Sequence, residues 1–303
     1  MITDNLTNTV CFSALLPASC PNLYRNISAE LKKRGIPFNF LWETKDIWCR
    51  DYMPIQMEPD RLVSYRYTPN YLQDKKYVRL QTDPEKVLHS KSNELFRILP
   101  ASKLEEDVVF DGFRPIKIMR PVVDYTKVDV VIDGGNIVKC GDCIVMTEKV
   151  FEENKDKSRD EVERILHDAF RCDILFLPWD RNEYFGHSDG VVHYAGKGKI
   201  LLTNYDDIST YFYRRFRKAL ETRFEVIPLK YNVKRKHARS WAYINFLQIG
   251  KLVLVPQLGV AEDEQAMEQI GKALSDCEVI GIPALEAVRR GGALNCISWN
   301  VMS

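Results

Sequence analysis

The chain has 303 residues, with 43 Lys and Arg against 42 Asp and Glu and 45% apolar residues. So even a charge balance excludes nucleic-acid binding driven by bulk electrostatics, and the length suits a sizeable core in one large or two medium domains. No basic-then-apolar leader opens the sequence and no apolar run is long enough for a bilayer, so a soluble cytoplasmic protein with no membrane partner is expected.

In chain order, residues 10–15 read as a first strand, 21–34 as a helix and 37–42 as a second strand. A polar segment, Glu43 to Pro54, follows, then short strands near 54–57 and 62–67. Residues 69–83 are polar with little periodicity and read as a surface loop, and 84–99 read as a helix. Two or three β-rich runs span 107–131, the last being Val128–Ile132, and Asp133-Gly134-Gly135-Asn136 comes directly after. Ser158-Arg-Asp-Glu161 is a capping-box pattern. It opens a helix whose Val162, Ile165, Leu166, Ala169 and Phe170 share one face. The strand 173–177 leads to Gly186-His187-Ser188-Asp189. An apolar stripe from Ile208 through Tyr211, Phe212, Phe216 and Leu220 marks another helix. The strand 224–227, a polar loop and Ser240-Trp-Ala-Tyr-Ile-Asn245-Phe246 come next. The last long helix carries Met267, Ile270 and Leu274, and leads through a strand at 278–280 and a short helical stretch near 284–290 to Gly291-Gly292-Ala-Leu-Asn-Cys296.

A lead-in, a short strand and a Gly- or Asp-bearing polar segment thus recur about five times, with strands starting near 37, 128, 173, 224 and 278. No Gly/Ser/Pro-rich linker divides the chain. The pattern implies one α/β domain over 1–303, built of repeated units around a centre, each sending its polar segment inward.

The eight cysteines are scattered through a long chain without a leader, which favours free thiols over disulfides. Cys140-Gly-Asp-Cys143 has the spacing of half a zinc site, but a tetrahedral site needs a second pair and none is present. It reads as a tight turn between strands.

Cys296 follows a glycine pair, a setting that can present a thiolate, although free cysteine is also among the most buried residue types. His187 and Asp189 are two apart, so in an extended segment both face one side; they are equally compatible with a surface loop. Asp46, Trp48, Arg50 and Asp51 form a denser cluster, in which Arg50 and Asp51 could simply pair. Asp133-Gly-Gly-Asn136 alone is a turn signature. Together these are the parts for attack on a cationic carbon. A guanidinium is planar and always charged. It needs carboxylates in its plane, a thiolate above it, and an acid/base to protonate departing ammonia and activate water.

In order and spacing, Trp48-x-Arg50-Asp51-x-x-Pro54, Asp133-Gly-Gly-Asn136, Gly186-His187-x-Asp189, Ser240-x-x-x-x-Asn245-Phe246 and Gly291-Gly292-x-x-Asn295-Cys296-Ile297 resemble the agmatine deiminase and bacterial-type peptidylarginine deiminase family. The resemblance runs from about residue 10 to the end of the chain. It implies the five-bladed α/β propeller, or pentein fold, with pseudo-fivefold repeats. It implies Cys296 as nucleophile, His187 as general acid/base, and Asp51 and Asp189 as the carboxylates gripping the guanidinium. Asp133, Trp48, Asn136 and Asn245 would contact the substrate. The implied reaction converts a guanidino compound to a ureido compound plus ammonia through a covalent thiouronium, with agmatine or a related arginine derivative as substrate and N-carbamoylputrescine as product from agmatine. Neither metal nor organic cofactor is implied, the partner is a small molecule, and a homodimer is compatible with it. The cysteine motif departs from the family's Gly-Gly-Gly-Asn-Ile-His-Cys by lacking the His, which leaves the substrate open. Within the same fold an amidinotransferase or a peptidylarginine deiminase is the alternative. A non-catalytic binding homologue is a further one, and a Cys-His peptidase is disfavoured by the acid-rich motifs. The basic run Lys230 to Arg239 is either solvated surface or a contact for a carboxylate or phosphate at the far end of the substrate.

Overall fold

The computed structural model describes residues 1–90, 103–111, 114–122, 124–234 and 236–303. Its strands are β1 (Thr9–Ser13), β2 (Phe38–Leu41), β3 (Ile55–Glu58), β4 (Arg61–Arg66), β5 (Lys103–Asp111), β6 (Arg114–Val122), β7 (Asp124–Val131), β8 (Val138–Lys139) and β9 (Cys143–Thr147). They continue as β10 (Asp173–Leu177), β11 (Val192–Gly196), β12 (Lys199–Leu202), β13 (Glu225–Pro228), β14 (Leu247–Ile249), β15 (Leu252–Gln257), β16 (Glu278–Pro283) and β17 (Ser298–Val301). The main helices are α1 (Pro21–Lys33), α2 (Pro84–His89), α3 (Arg159–Phe170), α4 (Thr210–Leu220) and α5 (Glu262–Ala273).

Fifteen of the described strands form five three-stranded sheets with one plan. A middle strand pairs antiparallel with one neighbour and parallel with the other. The orders are β3-β4-β7, β8-β9-β10, β11-β12-β13, β14-β15-β16 and β17-β1-β2. A parallel pair needs a crossover, and α1, α3, α4 and α5 supply it in four sheets; in β3-β4-β7 the crossover holds α2 and the β5–β6 hairpin. In the β17-β1-β2 sheet the antiparallel partner of β1 comes from the other end of the chain, with Thr9 opposite Val301 and Phe12 opposite Ser298.

Middle strands are covered on both faces, so they read as unbroken apolar runs rather than alternating ones. Every residue of β1 and β9 is buried. The helices cover them with one stripe each. In α1, Leu23, Ile27 and Leu31 recur every four residues and are buried in the same cluster as Val10 and Phe12 of β1. The Ser158 hydroxyl accepts from the Glu161 N–H at 3.2 Å and caps α3 as the sequence implied.

Several sequence expectations need adjustment. The strands starting near 37, 128, 173, 224 and 278 are the third strands of the five sheets, whereas β11, β12, β14 and β15 were not among the expected strands, although Gly196-Lys197-Gly198, all at positive φ, turns β11 into β12. Ile208 and Tyr211 lie off the buried stripe of α4, which starts at Thr210, and are exposed. The helix read at 84–99 is present as α2 to His89; its remainder lies largely outside the described residues. Cys140 and Cys143 do bracket a turn, closed by the Cys140 N–H donating to the Cys143 carbonyl at 2.8 Å, and all eight cysteines are free. No helix among the described residues is long and apolar enough to cross a membrane.

Candidate active site

The third strand of each sheet is followed by a short helical turn or a polar loop that leads into the next sheet. These five connections carry the motifs. After β2 comes the turn Cys49–Tyr52; after β7, Gly134–Asn136; after β10, Ser188–Gly190; after β13, Ser240–Ile244; after β16, the segment ending in Cys296, two residues before β17. Residues spread over 246 positions therefore converge.

Cys296, His187, Phe185 and Gly291 line two adjoining cavities. The first, about 270 Å³, is walled by Asp46, Trp48, Asp51, Tyr67, Tyr71 and Tyr184 among others. The second, about 340 Å³, is walled by Asp180, Glu183, Asp189, Tyr205, Trp241 and Asn245 among others. The sequence-derived residues Cys296, His187, Asp51, Asp189, Trp48 and Asn245 are thus brought to one two-lobed cleft.

Asn245 holds the segment that carries Cys296. Its Oδ1 accepts from the Cys296 N–H and thiol, each at 3.2 Å. Its Nδ2 donates to the Asp189 carbonyl at 3.4 Å. Asp189 Oδ2 accepts from Asn295 Nδ2 at 2.8 Å and lies 3.7 Å from Cys296 Sγ. Arg50 does not pair with Asp51. Its N–H donates to the Cys296 carbonyl and its guanidinium to the Asn295 carbonyl and the Asn300 side chain, so it fixes the chain on both sides of Cys296. Burial first, then the charges of Asp189 and Asp51, push the Cys296 thiol well above its ordinary range. A cation bound between those carboxylates would reverse their effect.

His187 Nε2 donates to Asp133 Oδ2 at 2.9 Å, leaving Nδ1 facing Asp51 Oδ1 at 3.6 Å. Burial pulls the imidazole down, but Asp51 and Asp133 outweigh it and raise it to about 9. Burial, with Asp133, Asp189 and Asp46 adding to it against His187, lifts the Asp51 carboxyl to about 7. Glycine lets the strand end approach this closely. A Cβ on Gly135 would sit 2.6 Å from His187 Nδ1 and 2.7 Å from Asp51 Oδ1, and the Gly135 N–H donates to that oxygen at 3.1 Å. Gly292 serves the same end on the opposite wall, where a Cβ would meet the Trp48 ring at 2.4 Å.

Two residues expected at the substrate stand behind the wall instead. Asp133 is 1% exposed and its Oδ2 is taken by His187 and by Lys149 Nζ at 2.8 Å. Asn136 spends its Oδ1 on the N–H groups of Thr147 and Ser188, at 2.8 and 3.2 Å, and fixes the His187 turn. The 69–83 segment, read as a surface loop, supplies Tyr71, Leu72, Tyr77 and Leu80 to the first cavity. Its aromatic content was the available signal. Of the basic run, residues 230–234 and 236–239 line neither cavity; Lys236 pairs with Asp207. Asn295 entered the cysteine motif without a role, and Lys149 and Glu153 were not read from the sequence at all.

The family model of Porphyromonas-type peptidyl-arginine deiminases matches residues 20–301. The chain belongs to that family. This family member is 24% identical to a Lactococcus lactis protein named "Putative agmatine deiminase", over 58% of each chain, so it spans less than two thirds of that relative's length. Its fold matches that of an agmatine deiminase from C. jejuni with a TM-score of 0.70 at 18% identity, covering 100% of this chain and 95% of the other. A cysteine-to-serine variant of the C. jejuni enzyme with substrate bound matches at 0.69 and 18%, covering 100% and 96%. A dimethylarginine dimethylaminohydrolase matches at 0.56 and 11%, covering 97% and 100%.

Proposed function

We propose that the chain hydrolyses a guanidino compound to a ureido compound and ammonia, as a cysteine-dependent deiminase. The carrying observation is the meeting of Cys296, His187, Asp51 and Asp189 at one cleft from three separate sheet connections. The five sheets, with β17 joined to β1, are read as the blades of a closed pentein propeller around that cleft.

A guanidinium placed between Asp51 and Asp189 receives charge-assisted hydrogen bonds from its N–H groups to both. Without them its burial would be costly. The cation lowers the energy of the Cys296 thiolate, so the thiol proton leaves to solvent as the cation binds, and the thiolate attacks the central carbon. As the tetrahedral adduct collapses, the C–N bond breaks and the proton on His187 Nδ1 passes to the departing nitrogen as ammonia. A thiouronium on Cys296 remains. Water then gives one proton to Nδ1 as it attacks the same carbon; the C–S bond breaks to return the thiolate, the hydroxyl proton leaves to solvent, and the ureido product departs. Asp133, bonded to Nε2, keeps Nδ1 turned to the reacting atoms.

Agmatine fits the first cavity better than a carboxylate-ended substrate. Among the described residues Arg290 carries the only fixed positive charge on that wall, and its guanidinium donates to the Ser19 carbonyl at 3.1 Å. Asp46, by contrast, is an acidic side chain on the wall among aromatic rings; burial raises its carboxyl to about 7, and an amine tail beside it would hold it ionised. The test is ammonia release from agmatine, arginine and an arginine-ended peptide. Agmatine is expected to be turned over fastest, and Cys296→Ala to lower its turnover by about 10³-fold or more. Wild-type turnover by Cys296→Ala would reject the mechanism, and a preference for arginine would reject the substrate.

A further inference from the structure

Lys149 has no step in the reaction written above, yet it is fully buried beside the residues that do. It opens the turn Lys149–Glu153 after β9. Its Nζ donates to Asp133 Oδ2 at 2.8 Å, lies 2.6 Å from Glu153 Oε1, and sits 5.4 Å from the centre of the Tyr71 ring. Glu153 Oε1 in turn accepts from the Asn70 N–H at 3.2 Å. A row of buried charges thus runs Glu153, Lys149, Asp133, His187, Asp51. Well-packed apolar residues in the same space would be as stable or more so, so fold stability alone does not explain the row.

Asp133 Oδ2 is the shared point. It accepts from Lys149 and from His187 at once, at 2.8 and 2.9 Å. The more of its charge Lys149 neutralises, the more weakly it holds the imidazole's proton. The charged and titratable groups facing His187 are Asp51 from the Cys49–Tyr52 turn, Asp133 after β7, Lys149 after β9, and Cys296 and Asp189 across the cleft, with Tyr71 flanking at 6.2 Å between ring centres. Lys149 is the positive one among them in the described residues. Without it the imidazolium would be clamped between two uncompensated carboxylates.

We propose that Lys149 is a positioning residue that sets how firmly His187 holds its proton, and that Glu153 sets how much of the Lys149 charge reaches Asp133. The proposal rests on the deiminase reading, in which His187 gives a proton to ammonia and recovers one from water. It has the electrostatic sign seen at the site: Asp51 and Asp133 raise the imidazole while Lys149 pulls it back.

The experiment is an NMR titration of the His187 ring in the full chain, assigned by its loss in His187→Asn. Lys149→Met is expected to move the midpoint up by about one pH unit or more. Glu153→Gln is expected to move it down, and Lys149→Arg to restore it. The alkaline limb of the deiminase rate should shift in the same directions. A role in packing alone would lower the melting temperature of both variants without moving the midpoint in opposite senses. Midpoints unchanged within a few tenths, or moved the same way by Lys149→Met and Glu153→Gln, overturn the proposal. If Lys149→Met does not fold, Glu153→Gln decides: a downward shift supports the proposal and anything else ends it. Opposed midpoint shifts in a protein that releases no ammonia from any guanidino compound would uphold the role of Lys149 and reject the deiminase reading instead.

Discussion

The imidazole of His187 ties stability to pH through a proton that the folded chain binds more tightly than the unfolded one. Its midpoint is about 9 against an ordinary 6.5. That stabilisation is complete below pH 6.5 and is lost as pH rises through 9, a change of about 3 kcal/mol for one group. Buried His193 works in the other sense. Desolvation lowers it to about 4, so its share is present above pH 6.5 and lost as pH falls through 4. Thermal melts of the substrate-free protein should therefore decline across pH 6.5 to 9. His187→Asn, with no ring to protonate, should decline less steeply, and equal slopes would reject the assignment. The residues that line the cleft were legible in the sequence because their types are chemically rare together: a cysteine after paired glycines, a His-x-Asp, and acids at strand ends. Lys149 and Glu153 were not. Their four-residue spacing looks like any exposed helical ion pair, and nothing local says that both are buried.

Each connection between sheets turns the chain and carries polar side chains to the cleft or just behind it: Trp48 and Asp51, Asp133 and Asn136, His187 and Asp189, Asn245, and Cys296. At the scale of elements this explains why the polar segments were more legible than the strands before them. A site residue keeps its chemical type, whereas a middle strand covered on both faces is only an apolar run, which periodicity cannot separate from other buried segments. That is why β12 and β15 went unread while Gly186-His187-Ser188-Asp189 stood out. The turn after β7 makes the coupling testable. Gly134 has no room for a Cβ, which would lie 1.9 Å from the Arg50 carbonyl, and at Gly135 a Cβ would press on His187 and Asp51 together. Gly135→Ala should fold, because the atoms it meets belong to the His187 ring and the Asp51 carboxyl rather than to backbone. It should lower kcat by about 100-fold, the usual effect of displacing catalytic groups by an ångström. Steady-state ammonia release with a circular dichroism melt checks it. A folded Gly135→Ala with wild-type kcat would show that the Asp51–His187 spacing does not matter to the chemistry.

Over the whole molecule, the connections that converge leave space on both sides of Cys296, and the two spaces differ. The first is walled by Trp48 and the aromatic residues of the 67–80 segment; the second carries Asp180, Glu183 and Asp189 with Trp241. Phe185 and Gly291 separate them, the Phe185 ring lying 3.2 Å from where a Gly291 Cβ would stand. A guanidinium held at Cys296 has three nitrogens. If the tail-bearing one points into the aromatic lobe, the departing one faces the acidic lobe, through which ammonium and water would then pass. Exposed residues at each mouth allow the lobes to be narrowed without disturbing the core: Leu80 in the first and Ile208 in the second. Leu80→Trp should raise KM for agmatine about tenfold or more, since a misfit in an apolar pocket is felt mainly in binding. Ile208→Trp should leave KM near the wild-type value and lower kcat, because it hinders departure and water entry but not the tail. The reverse assignment, with KM raised by Ile208→Trp and untouched by Leu80→Trp, would place the substrate tail in the acidic lobe and turn the proposed orientation around.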